Sequence, residues 1–438
     1  MGNRPRLSKP PHIGIIEQVV MRRWRVVMTG LAVGAAALAL DLERPFSGDL
    51  DHPAIQYATR PEQNAVSELN ARLRDGSVRL SFDGTPGYLR SVLAALRIPI
   101  ESQLVVFSKT SLQQRIISAS NPRSLFFNDS VAVGWVPGEP FVEVAAQDAA
   151  QGVIFYTLDQ RPSDRPVFVR RDQPCLQCHE DYATVGVPGL LARSVFPAPD
   201  GTAVRPFGEF VTDGRSPFAQ RWGGWFATGT SGGLPHLGNR TFSKEEDTEN
   251  IPKRADLSTL AGKFDTTRYL SPYSDIVALL VFNHQVRMIN LITRLGWEAR
   301  VAAYDGHPAA LQDAIREFVD YLLFVDEAPL ASGIRGSSGF AEQFSGHGPV
   351  DHKGRSLRQL DLQRRLLRYP CSYLIYSPAF DALPATAKQG IYRRMWEVLS
   401  GEEKGPKYAR LAAADRQAVI EILRDTKAGL PDYFRATP

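Results

Sequence analysis

The amino-acid sequence predicts an α+β fold in which an antiparallel-sheet region is followed by a mainly helical carboxyl-terminal domain. Between residues 101 and 243, short β-branched and aromatic runs alternate with Pro, Gly, Asn and Asp, which is typical of strands joined by turns. After a charged linker at 244–254, the hydrophobic period changes to that of amphipathic helices over 255–438. The chain has 438 residues, 43% hydrophobic and 22% charged. This composition excludes a disordered chain and a polytopic membrane protein, and the length suits two or three folded segments.

The first 40 residues predict an export segment. Basic residues with one acid, Glu17, precede the uncharged run at 26–40, and Ala37 to Ala39 offers the small residues that signal peptidase accepts. The run is shorter than the roughly 20 apolar residues that span a bilayer comfortably. We therefore expect residues 1–40 to be a cleaved signal peptide and the mature protein to be periplasmic. The alternative is a single retained amino-terminal membrane anchor.

Residues 41–100 are predicted to form a helical and extended segment, with a helix near 65–73. In the β-rich segment 101–243, β-propensity and turn residues predict strands. These strands are expected at 104–107, 131–136, 153–158, 167–170, 191–196, 209–212 and 225–228. A glycine-rich loop at 229–239 ends the segment. The apolar period of 3.6 residues predicts helices in the carboxyl-terminal domain. They are expected at 275–304, 308–324, 357–368, 387–399 and 412–426.

The most informative motif is Cys175-Leu176-Gln177-Cys178-His179, a C-x-x-C-H sequence. Two thiols three positions apart lie on one helical turn and reach both vinyl groups of one porphyrin, and the following His presents an imidazole to its iron. A structural zinc would need four ligands, and no second C-x-x-C or H-x3-H completes such a set. A thioredoxin-like pair would be expected in a reducing compartment or in a βαβ context, and neither is evident. The motif therefore predicts one covalently bound haem c.

On these five residues and the leader, the chain resembles the c-type cytochromes. The resemblance implies thioether bonds to Cys175 and Cys178 and a proximal iron ligand at His179. The chain departs from the small class I cytochromes, because the motif begins only at position 175 and no Met occurs between Met28 and Met288. It is more similar to larger exported bacterial proteins with a single C-x-x-C-H. A haem held on a PAS-like periplasmic sheet is the analogue we consider for 101–243.

The distal iron ligand is predicted among His236, His284 and Met288, followed by His347 and His352. His236 lies in the glycine-rich loop, where the backbone can approach a haem edge closely. The alternative for His236 is an exposed loop histidine. His284 and Met288 share the apolar stripe of the helix at 275–304, and the alternative for His284 is a hydrogen-bonded core histidine. An open sixth position is a further alternative.

Three other features have both a structural and a haem-related interpretation. Cys371 lies among apolar residues and is expected to be a buried, inert thiol, with iron ligation or an intermolecular disulfide as alternatives. The aromatic run 222–226 is either a wall of the haem pocket or ordinary sheet packing. Charge-assisted bonds to haem propionates are considered for four arginines. These are Arg170, Arg171, Arg193 and Arg221.

Together these observations predict a periplasmic monohaem cytochrome that transfers single electrons to or from a redox partner protein. A haem-based redox or gas sensor and a peroxidase-like haem enzyme are the alternatives, because the chain is longer than an electron shuttle requires. No distal acid–base pair can be assigned, so no catalytic residue is predicted. The net charge of +4 comes from residues 1–40, which hold six basic residues and one acid. The rest of the chain is close to neutral, and no nucleic-acid partner is expected.

Overall fold

The computed structural model describes residues 45–244, 256–307, 311–330 and 332–435. Residues Arg44–Pro438 form one compact unit. The export segment predicted at 1–40 lies outside the described residues, as does most of the charged linker at 244–254. The boundaries predicted at 41–100, 101–243 and 255–438 stay predictions.

The main sheet contains seven antiparallel strands in the order β6-β5-β4-β3-β2-β1-β9, and a second sheet pairs β7 with β8. Six strands follow one another along the chain as a meander, and β9 joins at the β1 edge. The strands are β1 (Leu104–Val106), β2 (Arg123–Phe127), β3 (Val131–Trp135), β4 (Phe141–Asp148), β5 (Gly152–Asp159), β6 (Phe168–Arg170), β7 (Arg193–Val195), β8 (Glu209–Val211) and β9 (Trp225–Phe226).

Short polar side chains form the tight turns of the meander. Asn128 follows β2, and its Oδ1 accepts the backbone N–H of Val131 at 2.9 Å. Asp148 ends β4, and its Oδ1 accepts the backbone N–H of Gln151 at 3.1 Å. Gly152, with a φ of 85°, then begins β5 in a conformation that a side chain would strain. These local bonds explain why Asn and Asp mark the strand ends in the sequence.

The two faces of the main sheet bear different helices, because successive side chains of a strand point to opposite sides. On one face, the Tyr156 hydroxyl accepts a hydrogen bond from Asn64 at the start of the first helix, at 2.9 Å. The opposite surface is here called the Phe155 face. It carries a row of residues that are paired directly across β2 to β5. The row is Phe127, Ala132, Ala145 and Phe155.

Nine α-helices lie in the described part of the chain, six of them after residue 270. They are α1 (Ala65–Arg74), α2 (Leu89–Ala95), α3 (Gln173–His179), α4 (Ile276–Tyr304), α5 (Gln312–Leu322), α6 (Phe340–Ser345), α7 (Pro378–Asp381), α8 (Ala385–Ser400) and α9 (Ala413–Thr426). The predicted α+β fold with an antiparallel sheet and a helical carboxyl-terminal region is therefore confirmed. Its PAS-like variant stays a prediction.

Helix α4 is the central helix of the fold. Asp275 caps its start, since one carboxylate oxygen accepts the backbone N–H of Val277 at 2.7 Å. The ring of Phe282 packs on Phe127 of the Phe155 face, with 5.2 Å between ring centroids. Among the described residues, α4 alone is long and apolar enough to cross a membrane, and its most apolar stretch is wholly buried. Packing inside the protein therefore accounts for its apolar character.

One predicted helix is wrong. Residues 357–368 form a tight reversal of the chain, because Leu360 pairs with Leu367 in an antiparallel bridge and a neighbouring loop uses two of the carbonyls. The carbonyl of Leu362 accepts the N–H of Ile334 at 2.8 Å, and Leu362 itself has a φ of 58°. Asp361 also accepts the N–H of Arg364 at 2.9 Å, a local bond that competes with helix formation. Strands β2 and β4 were absent from the sequence-based prediction.

Candidate haem-attachment site

The C-x-x-C-H motif lies on helix α3, and two residues separate this helix from the edge strand β6. The backbone N–H of Arg171 donates to the carbonyl of Phe155 at 2.8 Å, which continues the sheet pairing one residue beyond β6. The Asp172 carbonyl then accepts the N–H of Leu176 at 2.9 Å and starts the helix. Pro174 lies in the first turn, where a missing N–H costs nothing. The edge of the sheet thus fixes where α3 begins.

Cys175 and Cys178 lie one helical turn apart, and both are free thiols. Cys175 is half-buried and Cys178 is exposed. Burial, followed by the nearby charge of Glu143, raises the pKa of the Cys175 thiol to about 11. A thiol with a raised pKa is protonated at neutral pH, unlike the activated thiols of redox C-x-x-C motifs. The environment of Cys175 therefore disfavours the thioredoxin-like alternative.

His179 is held in the tautomer that a metal ligand needs. Its Nδ1 lies 2.8 Å from the carbonyl oxygen of Gly189, which can only accept, so Nδ1 carries the proton and Nε2 has the lone pair. Among the described residues, Nε2 has no hydrogen-bond partner. Burial lowers the pKa of His179 to about 4, against the opposing effect of the Gly189 bond, so the ring is neutral at pH 7. The ring also packs on Phe155, with 4.8 Å between centroids.

The partner of His179 is itself fixed by two elements of the core. Asn290 of α4 accepts the N–H of Leu190 at 3.0 Å and donates to its carbonyl at 2.7 Å. The neighbouring Pro188 carbonyl accepts the N–H of Val153 in β5 at 3.0 Å. A Cβ at Gly189 would lie 2.3 Å from the side-chain oxygen of Asn290. A backbone carbonyl that orients a ligand histidine is the usual outer partner of metal-binding imidazoles.

An ion pair lies on the Phe155 face near the motif. Arg123 of β2 reaches across Gly134 of β3 to the carboxylate of Glu143 in β4. Gly134 is required for this path, because a Cβ there would lie 2.3 Å from the Arg123 guanidinium. The positive charge of Arg123 is one of the smaller contributions that lower the pKa of His179. This charge favours the neutral imidazole, the form that binds iron.

His236 is buried, with 1% of its surface exposed, and its Nδ1 accepts the backbone N–H of Gly238 at 3.1 Å. A neutral ring with Nδ1 as acceptor carries its proton on Nε2. That Nε2 has no hydrogen-bond partner among the described residues. Trp222 packs against the ring at 5.4 Å between centroids, and burial lowers the pKa of His236 to about 4. The expectation of an exposed loop histidine is therefore wrong.

His284 is enclosed in the helical region. Its Nε2 lies 2.8 Å from the hydroxyl of Ser372, and its ring stacks on Phe324 at 4.4 Å and on Tyr321 at 5.2 Å between centroids. Burial lowers its pKa to about 3. Met288 is fully buried in the main hydrophobic core. Among the described residues, no hydrogen bond, ion pair or ring contact joins His284 or Met288 to α3.

The helical geometry of α4 explains this separation. At about 100° per residue, His284 points roughly 120° and Met288 roughly 160° away from the direction of Asn290, which faces the partner loop of His179. The two later candidates also have other partners. His347 lies 2.6 Å from the Gln343 carbonyl, and His352 is paired with a carboxylate.

The four candidate arginines differ in what already binds them. Arg170 is ion-paired with two carboxylates, and Arg221 is buried and donates to two backbone carbonyls. Arg193 lies 3.9 Å from a glutamate carboxylate. Arg171 is exposed, and its guanidinium donates to the Thr157 hydroxyl at 2.9 Å without any carboxylate partner in the described chain. Among the four, Arg171 therefore has the guanidinium most available to a bound anion.

Two further sequence candidates have ordinary packing roles. Trp222 and Trp225 are buried, and their indole N–H groups donate to Asn283 and to the Arg193 carbonyl. Cys371 is fully buried without a disulfide partner, and burial raises the pKa of its thiol. This environment agrees with the inert thiol that the sequence predicted.

The donor set fits a covalent haem better than a bare metal ion. Among the described residues, no group of three or more His, Cys, Asp or Glu side chains could hold a metal ion, which disfavours the zinc alternative. A haem needs only two thiols on one turn and one imidazole with a free Nε2, and α3 supplies these three groups. Sequence reasoning missed Gly189, Asn290 and Phe155, since no local pattern links them to the motif. No protein-family model, curated protein or solved structure matches this chain.

Proposed function

We propose that this chain is an exported monohaem c-type cytochrome, with haem c bound covalently to Cys175 and Cys178 and with His179 as proximal ligand. The observation that carries the proposal is the state of His179. Its Nδ1 is tied to a backbone carbonyl, its pKa is lowered by burial, and its Nε2 is free on the same short helix as two free thiols. When bound, the haem supplies a one-electron couple between ferric and ferrous iron.

The role we propose is single-electron transfer in the periplasm with a redox partner protein. Cys178 is exposed, which supports an attachment helix at the protein surface, where a partner can approach. The chain outside residues 1–40 is close to neutral, which supports a protein partner over a nucleic acid. The periplasm is proposed because of the leader, as a cleaved signal peptide or a single membrane tether.

A second function is supported by the state of the distal candidates. Nδ1 of His236 accepts the N–H of Gly238, which places the proton on Nε2, and Nε2 of His284 is bonded to Ser372. Neither imidazole therefore presents a free Nε2 lone pair to iron. Electron-transfer haems usually keep two strong axial ligands, whereas sensors and peroxidase-like enzymes keep an open position. A haem-based redox or gas sensor, or a haem enzyme, is therefore the second candidate.

One experiment tests the proposal and separates the two functions. The protein is matured in a periplasm, its mass is measured, and visible spectra are recorded in both oxidation states with and without CO and cyanide. Covalent haem predicts a mass increment of one haem that survives acid denaturation, and its absence overturns the proposal. A low-spin spectrum indifferent to CO supports electron transfer. A high-spin, CO-binding spectrum supports the sensor or enzyme instead.

A further inference from the structure

A cavity of about 570 Å³ opens on the Phe155 face beside the edge strand β6. Its sheet side is formed by Phe141, Thr157 and Val169, which register places on the same face as Phe155. Its other side is formed by the loop that joins β5 to β6. The cavity volume lies within the usual range for small-molecule and cofactor sites.

The wall of the cavity formed by the edge strand exposes apolar side chains. Val167 and Val169 are 47% and 43% exposed, while the alternate residue Phe168 is 3% exposed on the opposite face. Strand alternation thus turns two valines and the following Arg171 toward the cavity. Uncovered β-branched residues beside a cavity are typical of a surface that a ligand covers.

The cavity is also lined by three arginines, two of which lack an acidic partner in the described chain. Arg161, Arg165 and Arg171 line it. Arg161 is already paired with Asp159, because its Nε lies 3.0 Å from each oxygen of that carboxylate. In the described chain, the guanidinium of Arg165 has no partner, and that of Arg171 donates to one hydroxyl. The cavity therefore offers two uncommitted positive charges beside an apolar wall.

The cavity extends to Arg171, two positions before the attachment helix α3 begins. Arg171 lines the cavity and lies four residues before Cys175 along the chain. Its guanidinium donates to the hydroxyl of Thr157, which also lines the cavity and lies two positions after Phe155 in β5. The cavity and the ring of His179 also share one face of the sheet, since His179 packs on Phe155. A group attached to Cys175 and Cys178 can therefore extend into the cavity.

We propose that the edge of the haem that carries the two propionates lies in this cavity, where Arg165 and Arg171 pair with the carboxylates and the macrocycle covers Val167 and Val169. This inference rests on the proposed function. Haem matches both properties of the cavity, because it has one broad apolar body and two carboxylates on one side. Guanidinium–carboxylate pairs are the strong, directional form of ionic hydrogen bond.

The first test is arginine modification with phenylglyoxal, mapped by peptide mass. It compares the haem-bearing protein with the Cys175→Ala plus Cys178→Ala variant, whose fold is checked by circular dichroism. We expect Arg165 and Arg171 to react at least five times more slowly in the haem-bearing protein. The control is Arg335, an exposed arginine whose backbone pairs with Thr230 near β9, at the opposite edge of the sheet. It should react equally in both proteins.

The second test uses only the haem-bearing protein and so does not depend on the folding of the double variant. Arg171→Gln removes a positive charge next to the propionates, which stabilises the ferric state. We expect the ferric-to-ferrous ratio at a fixed applied potential to rise about threefold, equivalent to ~28 mV for one electron. Arg335→Gln, the matched control, should leave the ratio unchanged.

The outcomes separate this inference from the proposed function. If the wild-type chain carries no haem, the proposed function fails and this inference fails with it. If haem is attached but Arg165 and Arg171 react at the same rate with and without it, only the location of the propionates is wrong. Equal redox equilibria in the Arg171→Gln and Arg335→Gln proteins would also overturn that location.

Discussion

Asn290 of α4 gives the sharpest test of how the fold prepares His179. Asn290 does not touch His179, but it holds the backbone of Leu190 and so fixes the Gly189 carbonyl that binds Nδ1 of the imidazole. The substitution Asn290→Ala removes both bonds to Leu190 and leaves the motif itself unchanged. We therefore expect a loss of stability together with a changed haem environment.

The size of the stability loss follows from burial. Asn290 is 1% exposed, and its two bonds to Leu190, of 3.0 and 2.7 Å, satisfy one N–H and one carbonyl. Leaving a buried polar group without a partner costs about 1–3 kcal/mol. Because Leu190 is only half-buried, we expect Asn290→Ala to lower the free energy of unfolding by about 1–3 kcal/mol in total, measured by urea denaturation followed by circular dichroism.

The matched control is Asn283→Ala, seven residues earlier on the same face of α4. Asn283 is also 1% exposed, and it accepts from the Trp222 indole at 2.8 Å and donates to Thr212 at 3.0 Å. Its loss should cost a similar free energy of unfolding but leave the ferric spectrum and the reduction potential unchanged. Only Asn290→Ala should shift these two properties. Equal spectra for the two variants would refute the proposed link from Asn290 to His179, as would a stability loss below about 1 kcal/mol for Asn290→Ala.

Three further predictions follow from the same structure. Cys175→Ala plus Cys178→Ala should abolish the haem mass increment in mass spectrometry, whereas Cys371→Ala should keep it, because Cys371 is a fully buried, separate thiol. His284→Asn should lower the free energy of unfolding by about 1–3 kcal/mol without changing the ferric spin state, because the imidazole is bonded to Ser372; a changed spin state would identify it as an iron ligand. The buried His284 has a pKa lowered to about 3 against an ordinary value near 6.5, so unfolding binds a proton between these values and stability falls as the pH decreases from about 6.5 toward 3. Denaturation at several pH values should show a shallower decline in His284→Asn, and an unchanged slope would contradict this assignment.

Local patterns predicted most of the fold, and long-range pairing accounts for what they missed. The apolar periodicity of the helix at 275–304 and its capping residue, Asp275, are both local properties of the sequence, and α4 follows them closely. The turns at 357–368 have an apolar pattern compatible with a helix. The segment instead folds back on itself, with Leu360 paired to Leu367, and a loop distant in sequence uses two of its carbonyls, as in the bond from Ile334 to Leu362. Such a choice depends on the three-dimensional arrangement, which periodicity does not encode.

In the candidate site too, residues adjacent in sequence could be predicted and residues distant in sequence could not. Cys175, Cys178 and His179 are adjacent in sequence, so a motif can identify them. Gly189 and Asn290 orient His179 across 10 and more than 100 positions along the chain, and neither belongs to a motif. His179 can be proposed as an axial ligand from sequence alone because covalent attachment of haem would fix its spacing from the thiols. A distal ligand has no such constraint and can come from any element that the fold brings near.

The contrast between His179 and His236 shows which of the two imidazoles is prepared for the iron of the proposed haem. Burial lowers the pKa of both imidazoles to about 4, so desolvation does not distinguish them. The two imidazoles differ instead in the hydrogen-bond partner of Nδ1. The Gly189 carbonyl places the proton of His179 on Nδ1, whereas the Gly238 N–H places the proton of His236 on Nε2. For His236 to bind iron through Nε2, the Gly238 bond must break, and a buried N–H left unpaired costs about 1–3 kcal/mol. His179 has no such penalty, so the partners of Nδ1 favour His179 over His236 as the iron ligand.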